Sequence, residues 1–381
     1  MSLTVRGSPR ARSSRGGRVF WFDVGVEAII VAGGQGTRLR PLTVNCPKHL
    51  LPLAGVPFVV HQLAKLADAG VTRVVLATSY HADQFEPELG DGARWGVELV
   101  YVTESQPLGT AGAIRHATSQ LDARPEDPVV ILNGDILSGH DLAGQLDHHR
   151  RRRADVTLHL VEVDDARPYG SVPTDADGNV ADFLEKSPDP DCRQINAGCY
   201  VFSRRVIDEI PAGRVVSVER ETFPALLAAG RAVSGFLDDS YWLDVGTPAA
   251  LCLGSSDVVR GIAASAAYAR PPAECLIADT ASVAATASLQ GGSSVGPGVT
   301  VEHGAVLDGS LVAKDAWISA DATIVNSVVG PGARIGRGTL LRDAVVGDGA
   351  QIGAGCELLA GARIWNDVVI PDGGVRFSSD V

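Results

Sequence analysis

Ala28-Ile29-Ile30-Val31-Ala32-Gly33-Gly34-Gln35-Gly36-Thr37-Arg38-Leu39-Arg40-Pro41 is an apolar β-branched run that stops at three closely spaced glycines. The run predicts a buried strand, and the glycines beyond it let backbone N–H groups approach phosphate oxygens without a Cβ in the way. Arg38, Arg40 and the nearby Lys48 supply local positive charge. The pattern is neither a Walker A loop nor a dinucleotide fingerprint, since no Gly-Lys-Ser/Thr follows and the third glycine is misplaced. Taken alone, it is a phosphate cradle at a strand end or a tight turn with cations nearby.

Outward from this stretch, β-branched runs alternate with helical patterns. Val74-Val75-Leu76, Val97 to Val102 and Val129-Val130-Ile131-Leu132 read as strands, while Val59 to Leu66 and segments from Thr110 and Asp141 read as helices. Such alternation needs crossover connections and therefore an α/β, Rossmann-like, mostly parallel sheet with ligands at the carboxyl ends of its strands. This domain is expected over residues 26–255. Residues 1–25, rich in Arg, Gly and Ser, are expected to be a disordered extension. A helical linker is expected over 256–273, its helix ending near Arg270 before Pro271-Pro272.

Beyond Pro272 the chain repeats itself. Val295-Gly296-Pro297-Gly298, Val312-Ala313-Lys314-Asp315, Val329-Gly330-Pro331-Gly332 and Val346-Gly347-Asp348-Gly349 recur every 17 residues. Aliphatics within the blocks fall six apart, at Val301 and Leu307, Ile318 and Ile324, Ile335 and Leu341, Ile352 and Leu358, with Ile364 and Ile370 continuing. Ile277, Val283 and Leu289 extend the step upstream. One inward aliphatic per short strand predicts a hexapeptide solenoid, a left-handed parallel β-helix over residues 274–381. Such solenoids also occur in acyltransferases that use a His base, but only His303 lies in this one, at a predicted turn.

A net charge of −12 argues against a broad grip on nucleic acid. No apolar stretch reaches membrane-spanning length and no signal peptide is evident, so a cytoplasmic protein is expected. Six scattered cysteines without metal-ligand spacing read as reduced thiols. His148-His149-Arg150-Arg151-Arg152-Arg153 reads as a solvated helix terminus, where cations are favoured.

The residues from Ala32 to Thr43 with Pro47-Lys48, the run Glu104 to Gly112, Asn133-Gly134-Asp135, Phe183 to Lys186, Asn196-Ala197-Gly198 and Trp242 to Pro248 occur in this order. Together they resemble the signatures of the nucleoside-diphosphate-sugar pyrophosphorylases. The Leu108-Gly109-Thr110-Ala111-Gly112 form and the appended solenoid are most similar to the mannose-1-phosphate guanylyltransferase branch of that family, actinobacterial type. His49-Leu50 departs from the usual family pattern after Lys48.

The resemblance implies a nucleotidyltransferase using GTP and mannose 1-phosphate with Mg²⁺. Two anions must meet, so the chemistry rests on positioning and on cations. Arg38, Lys48 and Lys186 are the expected catalytic cations, and Asp135 and Asp244, each at a strand end, the expected metal pair; an isolated Asp there would read as a cap or turn. Ala32, Gly33, Gly34, Gly36, Thr37, Gln106, Gly109 and Thr110 are expected to bind nucleotide, and Gly170, Glu185, Asn196 and Gly198 the sugar. Ser217-Val218-Glu219-Arg220-Glu221 is read as an N-capped helix start. A homo-oligomer through the solenoid is expected. Transfer to another sugar phosphate from another nucleotide, such as UTP or dTTP with glucose 1-phosphate, stays open, as does a non-catalytic nucleotide-sugar-binding role.

Overall fold

The opening strand, β1 (Val26–Ala32), lies between two parallel neighbours. The structure, a computed structural model, describes residues 25–185, 192–269 and 274–376. The expected N-terminal extension, apart from Gly25, and Lys186 therefore lie outside the described residues.

The chain divides into two units. One holds residues 25–34 and 62–242, the other residues 35–61 and 243–376. The first is built on nine strands. After β1 come β2 (Val71–Thr78), β3 (Glu98–Thr103), β4 (Pro128–Asn133), β5 (Val156–Glu162), β6 (Gly170–Ser171), β7 (Leu184–Glu185), β8 (Gln194–Ser203) and β9 (Val233–Leu237). The order β7-β6-β8-β4-β1-β2-β3 has β5 beside β8, and β9 beside β5. Pairing is parallel across β4-β1-β2-β3 and antiparallel where β8 meets β4 and β5. Ile29, Val75, Val129 and Ile131 are buried in one cluster with Tyr200, Phe202 and Phe223, which explains why these strands read as unbroken apolar runs.

The predicted helices form as α1 (Phe58–Asp68), α2 (Gly109–Ala117) and α3 (Leu142–Arg152). Asp141 caps α3 by accepting from the Gly144 N–H at 2.9 Å. The end of α3 differs in part from expectation. Arg150 to Arg153 are exposed, but His149 is buried against the Thr157 hydroxyl at 3.0 Å, and His148 meets Ser234 at 2.8 Å. Ser217 does cap a helical turn, accepting from Arg220 N–H, and that turn, Val218–Thr222, is a π-helix. The long helix α4 (Pro248–Arg260) ends at Gly261 in the left-handed region, well before Arg270. Glycine stops it earlier than the prolines would.

Residues 274–376 form the parallel β-helix. Its strands stack as three sheets of six, six and five, with Val295, Val312, Val329, Val346 and Ile364 successive partners down one face. The eight aliphatics from Val301 to Leu358 predicted to point inward are all buried. Ile277 is an exception: it is 38% exposed while its neighbour Leu276 is buried. It belongs to the first strand of its sheet, with a partner on one side only. A second periodic element runs inside the coil. Ser310 N–H donates to Ser293 Oγ, Ser327 N–H to Ser310 Oγ and Ala344 N–H to Ser327 Oγ, at 3.2, 3.2 and 3.0 Å. This hydroxyl ladder satisfies buried amides at one corner of the coil.

Candidate active site

The predicted site residues fall in both units, and each unit builds its own part. In the first, Ala32 ends β1 buried, and Gly33 and Gly34 leave the sheet. Ser79 Oγ donates to the Gly33 carbonyl at 3.0 Å, and a Cβ on Gly33 would sit 3.4 Å from that oxygen and 3.7 Å from Glu104 Oε2. Glu104 is nearly buried; burial raises its pKa, while the Leu108 N–H donating to Oε2 at 3.3 Å opposes the rise. Ser79 and Glu104 therefore flank the start of the cradle, although neither was among the expected site residues.

Gly109 opens α2 at φ +71°, and a Cβ there would lie 2.6 Å from the Val216 carbonyl. That carbonyl accepts from Ala111 and Gly112, so the Gln106 to Thr110 segment is moored to residue 216. Gln106 and Gly109 are exposed and Thr110 half-buried.

At the end of β4, Gly134 N–H donates to the Val31 carbonyl at 3.0 Å, which ties the turn carrying half-buried Asp135 to β1. The four expected sugar residues sit on three neighbouring strands. Gly170 and Glu185 are opposite one another in β6 and β7, and β8 carries Asn196 and Gly198. Asn196 Nδ2 donates to the buried Tyr200 hydroxyl at 2.8 Å, and Asn133 Nδ2 reaches the same oxygen at 3.4 Å. Burial, the largest influence, holds the Tyr200 hydroxyl well above its ordinary pKa, so it stays protonated. Tyr200 thus couples the strand before Asp135 to Asn196, a link the expected site lacked. Tyr200 among the apolar residues Cys199 to Phe202 was the available signal, because a buried phenol seeks partners. Trp242 donates to the Ala197 carbonyl at 3.0 Å and packs edge-on against Tyr169, forming an aromatic wall beside that strand.

In the second unit the loop after Gly34 folds on itself. Gly36 adopts φ +61°, and a Cβ there would lie 3.0 Å from Lys48 Cβ and 3.1 Å from Thr43 Cγ2. Thr43 Oγ1 donates to the Gly36 carbonyl at 2.8 Å. The loop therefore brings Lys48 alongside Gly36, and Thr37–Leu39 forms one 3-10 turn with Leu39 buried and Thr37 and Arg38 exposed. Arg38 Nη2 lies 3.8 Å from Asp244 Oδ2. Asp244 ends the strand Trp242–Asp244, and Gly246 passes directly under the Arg38 guanidinium. His49, the departure from the family pattern, is buried and points its imidazole away from solvent.

No group of three or more His, Cys, Asp or Glu side chains that could hold a metal is gathered among the described residues. Asp135 lies in one unit and Asp244 in the other. A carboxylate is the kind of oxygen ligand that a small hard divalent cation takes.

The nucleotidyl transferase family model matches residues 27–260, and that of the GMPPB C-terminal domain matches residues 272–372. The chain belongs to the nucleotidyl transferase family. Within it, the mannose-1-phosphate guanylyltransferase of Mycobacterium tuberculosis is 54% identical over 93% of this chain and 99% of its own length. A mannose-1-phosphate guanylyltransferase catalytic subunit beta from Drosophila pseudoobscura pseudoobscura is 39% identical over 59% of this chain and 60% of its own. Among solved structures, HddC from Yersinia pseudotuberculosis complexed with GMP-PN covers 61% of this chain and 99% of its own at 28% identity, with a TM-score of 0.53. This nucleotidyltransferase has no described helix long and apolar enough to cross a membrane.

Proposed function

We propose that the protein transfers GMP from GTP to mannose 1-phosphate, giving GDP-mannose and pyrophosphate. The observation that carries the reading is Arg38 held 3.8 Å from Asp244 on a loop that also packs Lys48 against Gly36. Two cations and a carboxylate on one short loop assembly suit a polyphosphate and its counter-cation. The guanine and mannose assignments are supported by the 54% identity to the mycobacterial guanylyltransferase.

An oxygen of the sugar phosphate attacks the α-phosphorus in line, the bond to the bridging β-phosphate oxygen breaks, and pyrophosphate leaves with that electron pair. Arg38 and Lys48 offset charge on the triphosphate, and the amides of the Gly33–Thr37 cradle approach its oxygens. Asp135 and Asp244 would hold Mg²⁺, which when bound neutralises phosphate charge. Asn196, fixed by Tyr200, and Gly198 orient the sugar, and the Gln106–Thr110 segment faces the base. Glu185 and Gly170 complete the proposed sugar-binding set, and Lys186 is the proposed cation for the sugar phosphate.

The protein is cytoplasmic and assembles into a homo-oligomer through the β-helix, whose last described coil exposes Trp365 and Val369 at 51% and 66%. Light scattering of the purified protein and of Trp365→Glu tests the assembly: a monomeric wild type refutes it. The activity is tested by pyrophosphate release with GTP, UTP, dTTP, ATP and CTP, each against mannose and glucose 1-phosphates. Turnover that is selective for GTP and mannose 1-phosphate is expected, and preference for another pair overturns the assignment.

A further inference from the structure

The signature loop satisfies most of its own carbonyls. Leu39 N–H donates to Gly36 O, Arg40 N–H to Thr37 O, Leu42 N–H to Leu39 O and Val44 N–H to Pro41 O, at 2.9, 3.3, 3.1 and 3.0 Å. The carbonyls of Arg38 and Arg40 point another way. Both accept from Nη1 of Arg363, at 2.8 and 2.9 Å. Arg363 lies on the β-helix strand Arg363–Ile364, in register with Val345 on the preceding coil. The same coils supply a second tie, a hydrogen bond between Asp348 and the Asn45 side chain, farther along the loop.

A guanidinium is suited to this task because one nitrogen carries two N–H groups and stays charged at any working pH. The two acceptors bracket Leu39, which is buried. The backbone from which the Arg38 side chain springs is therefore fixed on one side by the Leu39 anchor and on the other by a cation of the solenoid. With the root of Arg38 fixed, its guanidinium stays beside Asp244.

We propose that Arg363 is a positioning residue for nucleotidyl transfer: through the carbonyls of Arg38 and Arg40 it sets the place of Arg38, which makes the β-helix a working part of the phosphate site. This rests on the guanylyl-transfer reading above, in which Arg38 meets the triphosphate.

The test uses full-length Arg363→Ala and Arg363→Lys, with and without Arg38→Ala. Arg363→Ala is expected to lower kcat/KM for GTP about tenfold while leaving KM for mannose 1-phosphate close to wild type. Arg363→Lys, which keeps a charged donor, recovers part of the loss. In the Arg38→Ala background the Arg363→Ala change adds little, because the residue it positions is gone. Wild-type kinetics in Arg363→Ala, or losses that multiply in the double variant, overturn the proposal. So does a loss that tracks only the unfolded fraction at the assay temperature. Amide exchange of Leu39, Leu42 and Val44 supplies a readout independent of substrate identity: faster exchange in Arg363→Ala supports the tether, and unchanged exchange refutes it. Should the wild type fail to use GTP, this measurement still decides on the tether while the substrate assignment falls separately.

Discussion

Arg38 and Asp244 meet at 3.8 Å across a glycine, Gly246, that leaves no room for a side chain between them. Gly246 lies outside the left-handed region, so its requirement is for space. A Cβ there would run into Arg38 Nη2 and lie 2.8 Å from Asp244 Oδ1. Gly246→Ala should therefore displace Arg38 and lower kcat/KM for GTP on the order of a hundredfold, as misplacement by about an ångström does, with the thermal midpoint nearly unchanged. Steady-state kinetics and calorimetry on the one variant check both halves. Undiminished turnover would show that Arg38 works from another position.

Asp135→Asn and Asp244→Asn each remove a carboxylate charge without changing shape. Each is expected to cut turnover by at least about a hundredfold and to raise the concentration of Mg²⁺ needed for half-maximal rate. A cation titration of both variants reads this directly, and an unshifted titration in both speaks against the pair.

Tyr200→Phe deletes the oxygen on which Asn196 and Asn133 converge at 2.8 and 3.4 Å. The expected result is a KM for mannose 1-phosphate raised about fivefold to tenfold with KM for GTP little altered. If both constants move together, the tyrosine serves the whole sheet and not the sugar corner.

Acid should destabilise the protein well above the carboxylate range. Burial, the main cause in each case, lowers His61 and His149 to about 4 and His159 to about 3, against an ordinary value of 6.5. Between about pH 6.5 and 4 the unfolded chain binds protons that the folded chain refuses, so stability falls as pH falls through that window. Melting temperatures recorded from pH 7.5 to 4.5 should decline most steeply below 6.5. A flat profile down to pH 4.5 is the contrary result.

Ser310→Ala breaks the hydroxyl ladder and leaves the buried Ser327 N–H without its acceptor. A loss of about 1–3 kcal/mol follows from an unsatisfied buried amide. Thermal denaturation compared with Ser319→Ala, whose site is outside the ladder, separates this from loss of any serine.

Much of this was legible in advance because periodicity reports burial. The β-branched run at Ala28 to Val31 became the central strand, and the six-residue step became the coil interior from Val301 to Leu358. Ile277 departs from the inward pattern because periodicity does not say which strand ends a sheet. The helix expected to reach Arg270 stops at Gly261, whose left-handed backbone ends it before the prolines are reached. Ser293, Ser310 and Ser327 stand at the same 17-residue repeat, but a small polar residue at that period does not by itself distinguish a buried ladder from a solvated turn. Tyr200 signals that a buried phenol needs a partner, but its convergence with Asn133, like that of Arg363 with Arg38, is a tertiary approach between distant segments, and local pattern does not name the partner.

The bond from Arg363 to Arg38 spans 325 residues of chain. A ribosome delivers Arg363 that far behind Arg38, so the loop that carries Arg38 receives this anchor long after it has itself been made. A prematurely terminated chain can carry the entire nine-stranded sheet and every glycine of the cradle and still lack that anchor. Closure of the coil that bears Arg363 and anchoring of the Arg38 loop thus become a single event.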